Sequence, residues 1–313
     1  MPDITKSPRY PGTAIQHGDS GIFPYRVKLR LFELGYFDEE VTGKKIEKIK
    51  SERFGSDSVA AAKAFQKANG LKDDGIVGPI TWAALFNENA IARAETSSTT
   101  PSETTETFEV PSHFTSDLQA ELSEALEKVS DTRRALCLQA LNYAIDPSHP
   151  GSYPRSLYIR GANLFNKDLT ENVITASRIE SGAASDPQYY DDGRKEFMLR
   201  AVSANPDITG ADCSGGVVGL WRKQEVQVSG FDANANTLYG RYCVETSDPQ
   251  PGDLAWKDGH VGLYVGAGRI VEWAGGAYGC QLTKANDRRC YDYVDKKVSK
   301  MSAWQAYGDP TCY

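Results

Sequence analysis

The stretch "ITGADCSGGVVGLWRK" (residues 208–223) decides how the rest of the chain is read. Cys213 stands between Asp212 and Ser214, just ahead of Gly215, Gly216 and an apolar run. Gly210 and Asp212 suit a loop and a helix cap, so the residues from Cys213 onward read as a helix with the cysteine at its N-terminus. Exposed amides and the helix dipole favour negative charge at that end. A thiol attacks only as its thiolate, from an ordinary pKa of about 8.5, so a helix start is a place where a nucleophile can be made. Ser214, Gly215 and Gly216 are small, which leaves room for a substrate and for backbone donors to reach a developing oxyanion. Taken alone, the same residues also fit a buried filler, half of a disulfide or a metal ligand.

A nucleophilic cysteine needs a base, and the base needs a group to orient it. His260 opens the strand-like run "HVGLYV" directly after an Asp258–Gly259 turn, a rigid position from which a ring can face a helix end. Such pairs meet in space and not in sequence. Glu272, in "RIVEW", falls on the next strand of the same hairpin and is the candidate orienting group. Each has a plainer alternative: an inert surface histidine and a solvated strand glutamate.

Composition narrows the field. The chain has 313 residues, enough for two domains, and is 40% hydrophobic and 25% charged. A net charge of −7 gives no electrostatic reason to expect nucleic-acid binding. No apolar run is long enough for a membrane span. The opening "MPDITKSPRYPGTAIQ" lacks a basic-then-apolar signal pattern. The expectation is therefore a mature secreted form, or a chain that leaves its producer by another route such as lysis. Six cysteines (137, 213, 243, 280, 290 and 312) without a CxxC spacing, and four scattered histidines, give little basis for a zinc site. Cys280, Cys290 and Cys312 are candidates for bridging in an oxidising place. No metal or cofactor is expected, and a monomer is.

Residues 95–113, "ETSSTTPSETTETFEVPSH", read as a solvated linker rich in Ser, Thr, Glu and Pro. They divide the chain into residues 1–94 and 114–313. The first part predicts three helices with tight glycine turns. Val27, Leu31 and Leu34 recur at helix spacing before Gly35. Val59, Ala62 and Phe65 share a face between a Ser56 or Asp57 cap and Gly70. Pro79 opens a short helix carrying Trp82 and Leu85. The second part begins with helices (Leu118, Leu122 and Leu126, then Leu136 and Leu141 after a Ser130 or Asp131 cap). It turns to strands after Cys213, with hairpin signals at Asp258–Gly259 and Gly266–Gly268. Helix first and sheet second predicts an α+β domain.

With these pieces in order, "DCSGGVVGLWRK" followed by "PQPGDLAWKDGHVGLYVGAGRIVEWAG" resembles the NlpC-type cell-wall cysteine peptidases, a papain-like group. The resemblance covers roughly residues 210–279. It implies helices packed on an antiparallel sheet, with Cys213 as nucleophile, His260 as base and Glu272 as orienting residue. The family more often carries His, Asn or Gln at the third place, so Glu272 is a departure, although a carboxylate can serve. The family's Tyr-x-Trp-Gly-Gly stretch is similar, in degraded form, to "LYIRGANLF", which makes Tyr158 the tyrosine bordering the site. Tyr158, Asp212 and Ser214 are the substrate contacts this implies. Residues 163–206 intervene where the family has a short gap, and read either as a contributor to specificity or as a surface insertion. Residues 18–85, with "DDGIVGPITWAAL", resemble the peptidoglycan-binding type 1 domain, except that the loop after the first helix looks lengthened. Together the resemblances imply a peptidoglycan hydrolase of the endolysin or autolysin kind, acting outside the cell on bacterial wall. They point to cleavage of a D-glutamyl–diamino acid bond. A muramoyl–alanine amidase, and a wall-binding protein without catalysis, are the rival readings.

Overall fold

The computed structural model describes residues 10–46, 49, 51–87, 90, 93, 109–224, 226–227 and 230–313, the side chain of Ile22 excepted. The chain divides into two compact units, the first built from residues 1–106 with 312–313 and the second from 107–311. Residues 95–108 of the expected linker lie outside the described part. Its last residues do not behave as linker. Val110 is buried, and the His113 ring meets the Ala144 carbonyl oxygen at 2.9 Å.

The first unit contains α1 (Ile22–Glu33), a single short turn α2 (Glu39–Thr42), α3 (Ser56–Ala68) and α4 (Pro79–Leu85). The predicted faces are buried: Val27, Leu31, Ala62, Phe65, Trp82 and Leu85 form the core. The expected cap of α3 is not found. Gly55 takes that place and no side chain bonds the free amides, so Ser56 is the first helical residue. Gln66, almost fully buried, holds the "DGIVG" turn, accepting from Gly75 N at 2.8 Å and donating to the Ile76 carbonyl at 2.9 Å.

The second unit is α+β. Helices α5 (Ser116–Glu127) and α6 (Asp131–Tyr143) lead, each capped by a hydroxyl, Thr115 and Ser130. Strand β1 (Ser156–Tyr158), helix α7 (Ala176–Ser185), a 3-10 turn (Pro187–Tyr189), helix α8 (Arg194–Ala204) and strand β2 (Thr209–Ala211) follow. Then come α9 (Cys213–Lys223) and α10 (Ala235–Tyr242). The strands β3 (Cys243–Thr246), β4 (Leu254–Lys257), β5 (His260–Gly266), β6 (Arg269–Trp273), β7 (Cys280–Lys284), β8 (Arg289–Asp292), β9 (Lys297–Lys300) and β10 (Ala306–Pro310) complete it. Six of them form one antiparallel sheet in the order β3-β10-β4-β5-β6-β7. Helix α9 is sunk against β5 and β6, with Val218, Leu220 and Trp221 fully buried.

Two features went beyond the helix-then-sheet pattern. Strand β1 pairs in parallel with β2, aligning Tyr158 with Ala211, two residues before Cys213. The intervening segment is no surface decoration. Ile179, Tyr190, Phe197, Met198 and Ala201 from it share one core with Leu157, Ile159 and Ile208. Cys137, Cys213, Cys280 and Cys290 are free thiols, so Cys280 and Cys290 do not bridge. No helix among the described residues is long and apolar enough to cross a membrane.

Candidate active site

The start of α9 is built by Asp212. Its Oδ1 accepts from Gly215 N at 2.7 Å and from the Ser214 hydroxyl at 3.0 Å, and its Oδ2 accepts from Gly161 N at 2.9 Å. Asp212 is thus a helix cap that also ties down the loop after β1. Gly216 N bonds the Asp212 carbonyl at 2.9 Å, leaving the Cys213 and Ser214 amides at the helix mouth. The expectation that Gly215 and Gly216 make room for substrate is corrected. A side-chain carbon on Gly215 would lie 1.9 Å from the Ala162 carbonyl oxygen, and one on Gly216 would lie 2.2 Å from the Trp273 ring. These glycines let a neighbouring loop and a core tryptophan pack against the helix itself. A Gly215→Ala protein is expected to lose about 1–3 kcal/mol or more of stability through this backbone clash. An unchanged melting temperature would contradict it.

Cys213 is 7% exposed and its sulfur lies 4.0 Å from the Gly259 carbonyl oxygen, in the turn that carries His260. That turn is held from α10. The Asn236 side chain accepts from Gly259 N at 2.9 Å and from Trp256 Nε1 at 3.1 Å, and donates to Asp258 Oδ1 at 2.8 Å. His260 Nε2 meets Glu272 Oε2 at 2.7 Å, so Nδ1 is the nitrogen left for the thiol. The two residues sit on β5 and β6, and Gly262 stands between them. A side chain there would press within 3.2 Å of Glu272 Cβ, so the glycine opens the diagonal. Burial opposes charge on the His260 ring. Hydrogen bonds with Cys213 and Glu272 outweigh it and raise the ring to about 9.

Glu272 is completely buried. A lone carboxylate there would be neutralised by desolvation. Instead it accepts from Thr283 Oγ1 at 2.7 Å, from Arg288 Nε at 2.8 Å, from Arg288 Nη2 and from His260. Burial pushes its pKa upward, but Arg288 and His260 prevail and hold it at about 2. Arg288 is itself buried, donates to the Ser302 carbonyl at 2.9 Å, and lies 4.6 Å from the centre of the Trp304 ring. Trp304 also stacks on His260, with centroids 5.4 Å apart and planes 13° apart. One indole therefore covers both the base and the cation behind its partner.

Of the six residues expected at the site, Cys213, His260 and Glu272 come together as a chain. Tyr158, Asp212 and Ser214 line a cavity of about 690 Å³ with Cys213, and Asn236 and Arg241 of α10 also line it. Tyr158 is close enough to feel Cys213 and Asp212, and burial is the main reason its hydroxyl pKa is raised. Sequence reasoning missed Thr283, Arg288, Trp304 and Asn236. The departure at Glu272 was a usable signal, because a buried glutamate needs a cation, and "NDRRC" supplies two candidates.

Comparison with known proteins agrees with this picture. Residues 25–85 match the putative peptidoglycan binding domain, and residues 195–297 match the NlpC/P60 family, in the order the sequence predicts. The second match contains Cys213, His260 and Glu272 and begins after Tyr158. An uncharacterized protein in the bpoA1 3' region of Kitasatospora aureofaciens is 38% identical over 72 residues, which cover 23% of this chain and 53% of that protein. The chain thus spans about half the length of the curated relative it matches. No solved structure matches the chain.

Proposed function

We propose that the protein is a peptidoglycan hydrolase that cleaves an amide of the wall stem peptide by acyl transfer through Cys213. The observation that carries this is the buried chain Cys213–His260–Glu272, set at a helix mouth, with Cys213 in the wall of a cavity. A cationic His260 beside Cys213 favours the anionic sulfur that attack requires. The thiolate adds to the substrate carbonyl carbon. Its oxygen takes up negative charge opposite the amides that head α9. His260 passes its proton to the leaving nitrogen as the C–N bond breaks, and a thioester remains. Water then adds to the thioester carbonyl as His260 takes its proton; the C–S bond breaks, which returns the thiolate beside the cationic ring, and the acid product leaves and sheds its proton to become a carboxylate. Glu272 holds the ring in line and balances its charge throughout.

The scissile bond in this reading joins D-glutamate to the diamino acid, and the helical unit holds the wall. The layout of binder and catalyst fits an endolysin or autolysin acting outside the membrane. Mass spectrometry of purified wall after digestion tests it. New D-glutamyl carboxyl ends and diamino acid amine ends are expected. Fragments ending at muramoyl lactate would identify an amidase instead, and undegraded wall would end the hydrolase reading.

A further inference from the structure

A second cavity, of about 310 Å³, has Tyr158 but not Cys213 in its wall. Tyr158 borders both cavities. Its walls come from the turn Pro187–Tyr189 and helix α8, through Tyr189 and Arg194, and from the β6–β7 loop, through residues 275–278. The guanidinium of Arg160, which lines the Cys213 cavity, lies 4.7 Å from the centre of the Tyr189 ring, which lines the second. Tyr158 and this stacked pair therefore form the saddle between the two spaces.

The fit is built into the fold. Tyr189 follows a segment whose next residue, Tyr190, and whose helix α8 are anchored in the core. Gly276 keeps the floor low, since a side chain there would lie 2.9 Å from the Tyr189 carbonyl oxygen and 3.2 Å from Arg194 Cδ. The one acid in the lining, Asp292, is engaged by the protein: its Oδ1 accepts from Val294 N and Asp295 N at 2.9 Å each, and its carboxylate also bonds Tyr278. Arg194 donates to the Gln188 carbonyl at 2.8 Å, and its other nitrogen reaches only the exposed Asp192 at 3.1 Å. Surface pairs of that kind are weak and readily exchanged. Cations face the substrate path at Arg160 and Arg194, while the lining carboxylates serve the fold.

We infer that residues 176–204 build a second subsite, in which Arg194, with Arg160 at its rim, holds a free carboxylate of a peptide residue flanking the bond at Cys213. This rests on the stem-peptide reading above and deepens it: the enzyme selects peptides whose carboxylates are free over those amidated.

The test uses the full chain carrying Cys213→Ala, so that bound peptide is not consumed. Two synthetic probes are titrated calorimetrically: L-alanyl-γ-D-glutamyl-diaminopimelate with free carboxylates, and the same peptide with its carboxylates amidated. The free acid is expected to bind about tenfold more tightly, because a charge-assisted guanidinium–carboxylate contact is lost in the amide. Adding Arg194→Gln should abolish that preference while leaving affinity for the amide unchanged, and Arg194→Lys should restore part of it. Equal affinity of the two probes, or an Arg194→Gln protein that keeps the preference or weakens both probes alike, would overturn the subsite. The hydrolase reading stands apart from these outcomes. A protein that digests wall without carboxylate preference keeps the activity and loses the subsite; one that shows the preference without digesting wall does the reverse.

Discussion

A Cys213→Ala protein is expected to remain folded, to bind purified wall, and to solubilise it at less than about a thousandth of the wild-type rate, as removal of a nucleophile acting in a concerted unit does elsewhere. The reason lies in how differently the thiols are placed. Cys137, Cys280 and Cys290 are fully buried, and burial pushes each of their pKa values upward, so they stay protonated and unreactive at neutral pH. Cys213 alone among the six sits at a helix N-terminus and beside His260. Cys213→Ser should be as inactive, since a serine hydroxyl keeps the size but is far harder to deprotonate. Iodoacetamide should label Cys213 first, and labelling should track the loss of wall clearing. Wall clearing at the wild-type rate by Cys213→Ala would remove the nucleophile from this site.

Glu272→Gln is expected to damage both stability and catalysis. The substitution keeps the shape but leaves Arg288 as a buried cation without its counter-ion, which typically costs about 3–5 kcal/mol. The pH dependence follows from the two shifted groups. Glu272 is held at about 2, below its ordinary 4.5, so its contribution to stability is present above 4.5 and lost as pH falls through about 2. His260 is raised from 6.5 to about 9, so its contribution is present below 6.5 and lost as pH rises through about 9. The full contribution of the pair thus lies between about 4.5 and 6.5. Activity that needs the cationic ring should fall on the alkaline side as pH passes about 9. In Glu272→Gln that limb should move to lower pH, because the anion that favours the ring's proton is gone. Adding Arg288→Met should recover much of the lost stability and none of the activity, a non-additivity that urea unfolding can read. Strictly additive losses, or an alkaline limb that stays in place, would show that Glu272 and Arg288 do not work as a pair.

Much of the centre was legible before any coordinates. Cys213, His260 and Glu272 each stand at a position with a local signature: a capped helix start, a residue after a tight turn, a strand in a hairpin. The supporting residues have none. Arg288 and Arg289 are adjacent and chemically identical, yet one is 5% exposed and clamps Glu272 while the other is exposed and pairs with Asp287 at 2.8 Å. Only the position of their loop against the sheet separates them, and periodicity carries no information about that. Trp304 and Asn236 lie in segments without pattern and act through distant turns. The segment 163–206 was ambiguous for a related reason. Its polar residues are conspicuous in sequence, while Ile179, Phe197 and Ala201 matter only once β1 and β2 bring their neighbours beside them. The α3 cap failed because a hydroxyl at the first helical residue is one position too late to reach a free amide.

The sheet order has a temporal meaning. Strand β10 lies between β3 and β4, although the whole of residues 258–305 separates β4 from it in the sequence.

 Put plainly, the slot between two strands already made is filled by one made much later. The backbone groups of β3 and β4 that face this slot find their partners in β10. The indole that covers His260, at Trp304, and Gln305, whose side chain accepts from Asp258 N at 2.6 Å beside the histidine turn, arrive only with the same late segment. Cys213, His260 and Glu272 thus all precede in sequence some of the residues that complete their surroundings. Strand β10 and the residues just before it thus close the sheet and complete the packing over His260 together.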